Sequence, residues 1–234
     1  MTHVVAMGGG GFSEDENNRL TAIDRYILAL SPNPHPKVCF VPTASGDASA
    51  YIDSFHAAFD AAECEPTHAS LFYRGTVALE DELADVDVVY VGGGNTLNML
   101  TLWRVYGMDK VLDDLRKANM VFAGLSAGGM CWFDAGLTDS LGPQMSALHD
   151  CLGWLPGSFC PHFDSNGPAE AAYRSLVASG ELPEGFGVDD GAALHFIDGE
   201  LRRVVGERPD AGARRVLHDD EGVYYEDLEV DHIR

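Results

Sequence analysis

The stretch "VFAGLSAGGMCWF", residues 121–133, runs from an apolar segment into a cluster of small residues holding one hydroxyl, Ser126. Its apolar start reads as a strand buried on both faces. Gly124-Leu125-Ser126-Ala127-Gly128 satisfies G-x-S-x-G where that strand hands over to a helix. A turn of this kind is strained and lifts the hydroxyl out of the sheet, and its flanking residues must be tiny because strand and helix nearly touch. Small residues at a strand-to-helix turn also permit mere close packing, so the motif needs partners elsewhere.

Working outward, the first half alternates apolar and amphipathic segments. "HVVAM" (3–7), "KVCFVPT" (37–43), "HASLFY" (68–73), "VDVVYVGG" (86–93) and "MVFAGL" (120–125) read as buried strands. Residues 13–30, 47–64 and 95–118 carry apolar residues at three- and four-residue spacing and read as covering helices. Ser13 (ahead of Glu14 and Glu16), Asp47 and Asn95 are the expected caps. Such alternation predicts an α/β three-layer sandwich around a mostly parallel sheet. Residues 142–167, rich in Gly, Pro and aromatics without clear period, read as loops over one end of the sheet. A helix over 167–180 and β-hairpins follow, with turns at Asp198-Gly199 and Asp219 to Gly222. No linker or repeat interrupts the chain, so residues 1–234 are expected to form a single domain.

Composition narrows the function classes. The 37 acidic residues face 15 basic ones, a net charge of -22 that repels nucleic acid and anionic membranes. A lysine-poor acidic surface also suits a salt-rich cytoplasm, where ions screen self-repulsion. No apolar run reaches the roughly 20 residues of a membrane span, and the N-terminus lacks a leader pattern. A soluble cytoplasmic protein, monomer or homodimer, is expected. Five cysteines without a C-x-x-C pair argue against disulfides and zinc, and no metal or cofactor is expected.

A serine nucleophile needs an oxyanion site, a base and an acid. The run Gly92-Gly93-Gly94-Asn95-Thr96 ends one strand and starts a helix, so in a parallel sheet it emerges beside residues 124–128. Neither it nor "MGGGGFS" (7–13) matches a nucleotide-binding fingerprint, and no lysine lies near. Backbone N–H groups of Gly94 and Ala127 converging on a developing oxyanion are the better use. Among nine histidines, His162 in "CPHFDSN" is the leading base, because Pro161 restricts the backbone before it. Asp139, Asp164, Asp189 and Asp190 are all candidates for the acid. Cys131, five residues beyond Ser126, reads as a small core residue.

These stretches together resemble peptidase E, the aspartyl dipeptidase family of serine peptidases, related to cyanophycinase and sharing a class I glutamine amidotransferase-like fold. The likeness spans about Val4 to Val205 and rests on GGGNT, G-x-SAGG and PHFD. It implies Ser126 as nucleophile, His162 as base, and Gly94 and Ala127 as oxyanion donors. It also implies Asp190 as third member, where the family usually has glutamate, with Asp139 at an acidic position near the site as a second acid or a substrate contact. The implied activity is serine-type hydrolysis of dipeptides or short peptides. Family members that cleave after an N-terminal aspartate carry an arginine behind the catalytic histidine, but residues 163–173 contain no Arg or Lys and Arg174 falls on a helix. That argues against aspartyl specificity. Rival readings are an α/β-hydrolase-like esterase or amidase, for which the order Ser126, Asp139, His162 would fit, and a non-catalytic small-ligand module.

Overall fold

A computed structural model describes the chain except for residues 16, 61–63, 119 and 164–166. In the first half, strands β1 (His3–Met7), β2 (Lys37–Val41), β3 (Glu65–His68), β4 (Val88–Val91) and β5 (Val121–Leu125) alternate with helices. These are α1 (Ala22–Leu28), α2 (Ser49–Asp60), α3 (Leu79–Leu83), α4 (Thr96–Tyr106) and α5 (Met108–Arg116). The second half holds α6 (Ala127–Met130), β6 (Phe133–Thr138), β7 (Ser146–His149), β8 (Leu155–Cys160), α7 (Gly167–Ala178) and β9 (Gly185–Val188). It ends with β10 (Ala192–Ile197), β11 (Glu200–Gly206), β12 (Ala213–Asp219), β13 (Gly222–Asp227) and β14 (Val230–His232).

Eight strands form the central sheet in the order β14-β11-β10-β1-β5-β4-β2-β3. From β1 to β3 every neighbour is parallel, and β10 joins β1 antiparallel. Alternation of side chains along these strands supplies both faces with apolar residues. Val5, Met7, Phe40 and Tyr90 pack under α1 and α2 with Phe12, Phe55 and Phe59. Val4, Ala6, Val89 and Phe122 pack under α4 and α5 through Met99, Trp103 and Leu112. The expected α/β sandwich around a mostly parallel sheet is therefore present.

The second half departs from expectation. Residues 142–167 are not only loops: β7 and β8 lie within them and join a second sheet, ordered β13-β12-β9-β8-β6-β7. The hairpins divide between sheets, β10–β11 completing the first and β12–β13 the second. Short strands of Gly, Pro and aromatics hide their period because Gly157, at φ +88, and a register shift near Phe133 interrupt the alternation. One face of the second sheet shares a core with the first through Phe133, Phe159 and Phe196. The other is covered by Ala169, Tyr173 and Val177 of α7.

Several boundaries also shift. The expected strand over 68–73 ends at His68, since β3 pairs with β2 through Glu65 to His68. The helix expected over 13–30 begins only at Ala22: Thr21, not Ser13, caps it, in a reciprocal box with Asp24. Glu16 lies outside the described residues. Asp47 is no cap either; its φ is +55 and its carboxylate accepts from the Phe72 N–H at 2.7 Å. The helix expected over 95–118 breaks at Gly107, whose φ of +78 ends α4 and lets α5 leave in a new direction. Asn95 caps α4 as expected, its Oδ1 accepting from the Asn98 N–H at 2.8 Å.

Candidate active site

Ser126 stands at the carboxyl end of β5 with φ +54 and ψ −114, a conformation a side-chain-bearing residue rarely adopts. Its N–H donates to the Met7 carbonyl at 3.1 Å, and its own carbonyl accepts from the Gly129 and Met130 N–H groups at 3.0 and 2.8 Å. The strain is held by close packing: a Cβ on Gly128 would overlap the Val91 carbonyl, so α6 crosses β4 and β5 at backbone contact. The hydroxyl consequently stands above the sheet, in a pocket of about 520 Å³.

His162 and Asp190 come from the second sheet. His162 follows β8 through Pro161 with φ +52, and the neighbouring Phe163 N–H donates to the Val188 carbonyl at 3.1 Å. Asp190 lies in the crossing from β9 to β10, where the chain passes from the second sheet to the first. Its Oδ1 accepts from His162 Nδ1 at 2.6 Å, and Ser126 Oγ donates to Nε2 at 2.9 Å. A carboxylate can only accept, so Nδ1 carries the proton and a neutral imidazole leaves Nε2 as the acceptor. That order of groups can draw a proton off the hydroxyl while the carboxylate faces the charge forming on the ring.

An aspartate reaches one methylene less far than glutamate, and the glycine loop after β1 removes the gap. Gly9 pairs with Asp190 in an isolated bridge, and the Gly191 N–H donates to the Gly9 carbonyl at 3.1 Å. A Cβ on Gly9 would overlap the Asp190 carboxylate and lie 2.7 Å from the imidazole. Arg208 Nη2 donates to the Asp190 carbonyl at 2.5 Å from the far side. Under the same loop, Asp24 is buried and hydrogen-bonded to the Tyr90 hydroxyl at 2.9 Å. Burial pushes the Asp24 carboxyl up to about 6, against the lowering effect of its Thr21 and Tyr90 hydrogen bonds.

Gly94 and Ala127 both line the pocket beside Ser126. Among the described residues neither N–H has an acceptor in the chain, which suits donors at helix starts awaiting an anionic oxygen. Gly94 has φ +136, and a Cβ there would overlap the Ala44 carbonyl. Behind it, Tyr51 Oη accepts from the Gly93 N–H at 3.3 Å, and burial pushes that phenol up to about 12.

Of the remaining candidate acids, Asp189 is buried and its Oδ2 accepts from the Gly212 N–H at 3.0 Å, bracing the crossing. Asp164 lies outside the described residues. Asp139 is exposed on the pocket wall, while the hydrogen bond on His162 Nδ1 runs to Asp190. Cys131 is buried, burial raises its thiol well above the usual range, and its Sγ donates to the Gly128 carbonyl at 3.1 Å. It is a packing residue. Arg174 lines a separate depression with Glu170 and Tyr225 on the outer side of α7.

Sequence reading missed Gly9, whose place against the acid is invisible in a run of four glycines. It missed Ser140 too: its Oγ accepts from the Thr96 N–H at 2.9 Å, and its carbonyl accepts from Asn95 Nδ2 at 3.3 Å, tying the pocket wall to α4. The S-T-N chemistry of such clamps leaves no spacing signature when the partners are 44 or 45 residues apart.

A sequence model of peptidase family S51 matches residues 4–204. The chain is 46% identical over 217 residues, 93% of either chain, to the uncharacterized peptidase YgaJ of Bacillus subtilis (strain 168). It is 25% identical over 192 residues, 76% of this chain and 72% of the other, to peptidase E of Streptomyces coelicolor (strain ATCC BAA-471 / A3(2) / M145). In fold it is similar to the crystal structure of a peptidase from an acI-B1 Actinobacterium, with TM-score 0.72 and 17% identity over 98% of this chain and 95% of that one.

Proposed function

Starting from the fact that the chain belongs to peptidase family S51, we propose that this peptidase is of the serine type and hydrolyses dipeptides or short peptides through an acyl-enzyme. The observation that carries the reading is the unbroken hydrogen-bonded line from Ser126 Oγ through His162 to Asp190 at the pocket, with bonds of 2.9 and 2.6 Å. Both sheets contribute to that line, so the reading treats residues 1–234 as one catalytic unit.

In the first step His162 Nε2 takes the Ser126 proton as Oγ bonds to the substrate carbonyl carbon. The carbonyl oxygen becomes an oxyanion, stabilised by the Gly94 and Ala127 N–H groups, while Asp190 faces the imidazolium. The C–N bond then breaks, and the leaving amine receives the proton from Nε2. Water attacks the ester in the second step, giving its proton to Nε2. As the ester C–O bond breaks, that proton returns to Ser126 Oγ and the acid product leaves.

The position of Asp190 favours this arrangement over the esterase-like order in which Asp139 follows Ser126 and precedes His162. Fluorophosphonate labelling tests the reading. The wild-type chain should be modified at Ser126, and Ser126→Ala should lose both labelling and all but a residual dipeptide turnover, a fall of about 10⁴-fold or more. Undiminished turnover by Ser126→Ala would end the proposal.

A further inference from the structure

The pocket's lining is uneven in charge. Among the described residues that form it, Asp139 is the one acidic side chain and His162 the one basic side chain; no Lys or Arg is present. Met130, Leu137, Met145 and Ala169 supply an apolar wall. The Asp139 carboxylate has no hydrogen-bond or ion-pair partner among the described residues, although it sits within a braced segment. Thr138 Oγ1 donates to Ser140 Oγ at 2.8 Å and accepts from the Ser140 N–H at 3.1 Å. Ser140 is in turn fastened to Asn95 and Thr96 at the start of α4. The carboxylate is thus held on the wall of the pocket that Ser126 also lines, with its hydrogen-bonding capacity unspent.

We infer that Asp139 receives the α-ammonium of the substrate's N-terminal residue and that the Met130–Leu137–Met145–Ala169 wall receives that residue's side chain, selecting apolar N-terminal residues over aspartate. The inference rests on the serine-peptidase reading above. If Ser126 attacks the first peptide carbonyl, the ammonium lies about 2.5 Å from the attacked carbon, two bonds away. An acceptor for it must line the same pocket as Ser126, and among the described residues Asp139 is the carboxylate that lines it. A substrate aspartate would place a second anion against this wall, with no guanidinium or ammonium to meet it, where desolvating an unpaired carboxylate is costly. Arg174, the nearest cation in sequence after His162, faces the depression on the other side of α7. The net charge of -22 works in the same direction, drawing in the cationic end of a peptide and repelling acidic ones.

The experiment compares wild type, Asp139→Asn and Asp139→Glu on Leu-Ala, Met-Ala, Asp-Ala and N-acetyl-Leu-Ala, with fluorophosphonate labelling of each variant as a measure of the intact nucleophile. Wild type should favour Leu-Ala and Met-Ala over Asp-Ala by about 10-fold or more, and should neglect the acetylated peptide. Asp139→Asn should label normally yet lose about 10- to 100-fold in kcat/KM on Leu-Ala, chiefly through KM, the worth of one charge-assisted hydrogen bond. Asp139→Glu should retain part of the activity. Normal labelling with Asp-Ala as the preferred substrate, or with Leu-Ala turnover unchanged in Asp139→Asn, overturns this inference and leaves the serine-peptidase reading standing. An unlabelled wild-type chain overturns both.

Discussion

The loops after β1 and β4 are each runs of glycine at the carboxyl end of a buried parallel strand and, since β1 and β4 flank β5, they lie on opposite sides of Ser126. Residues 8–11 sit behind it, where the missing Cβ of Gly9 makes room for the Asp190 carboxylate and the His162 ring. Residues 92–94 sit in front, where Gly94 turns through φ +136 and lines the pocket beside Ala127. What an added methyl would strike differs accordingly: the Asp190 and His162 side chains at Gly9, and the backbone of Ala44 at Gly94. Glycine at position 9 is a matter of space; at position 94 it is a matter of backbone conformation.

Gly9→Ala should have the largest effect. The methyl should force apart the Asp190–His162 pair and lower kcat/KM by about 10³-fold or more, near the cost of losing the acid in a serine triad. The unfolding midpoint should move little, because the struck atoms are side-chain ends; kinetics and urea melts on one preparation check both halves. Gly94→Ala should behave differently. It should lose about 10²-fold in kcat as the oxyanion donor is displaced, and also about 1–3 kcal/mol of stability, since the overlap is with backbone and φ is positive. If both variants lost activity and stability in the same ratio, the two loops would not have separate roles.

A smaller effect separates what lies beneath the loops. Asp24, under residues 8–11, has a folded pKa raised from 3.8 to about 6 by burial. A carboxyl with a raised folded pKa contributes stability below its unfolded value and loses it as pH rises through the folded one. Wild type should therefore lose roughly 1 kcal/mol more than Asp24→Asn on going from about pH 5.5 to about pH 7.5. Denaturant midpoints of the two proteins at both pH values measure that difference. Parallel pH dependences would remove Asp24 as its source.

The legible part of the molecule was the part governed by local physics. Strands β1, β2, β4 and β5 announce themselves as continuous apolar runs because both their faces are covered. The hairpin at Asp198-Gly199 is equally local, both residues adopting positive φ as a tight two-residue turn demands. The second sheet was not legible. Its strands β7 and β8 are short, broken by Gly157 and defined by partners far along the chain, so no window of sequence contains the signal. Thr21 was missed as a cap for a different reason: Ser13 offers the same side-chain chemistry eight residues earlier.

The sequence alone singled out Ser126 as a hydroxyl between small residues at a strand-to-helix turn, a pattern that close packing also explains, and the structure adds the strained backbone that a mere packing turn does not need. The family, too, was carried by short contiguous motifs. On residue chemistry alone four aspartates stayed open for the place behind His162, because carboxylates are alike and sequence gives no distance between residues 28 positions apart; only the family resemblance pointed to Asp190. Tertiary structure distinguished them. The crossing from β9 to β10 brings Asp190 to within 2.6 Å of the ring, Gly9 leaves the space for it, and Asp139 is left on the pocket wall facing whatever the pocket takes in.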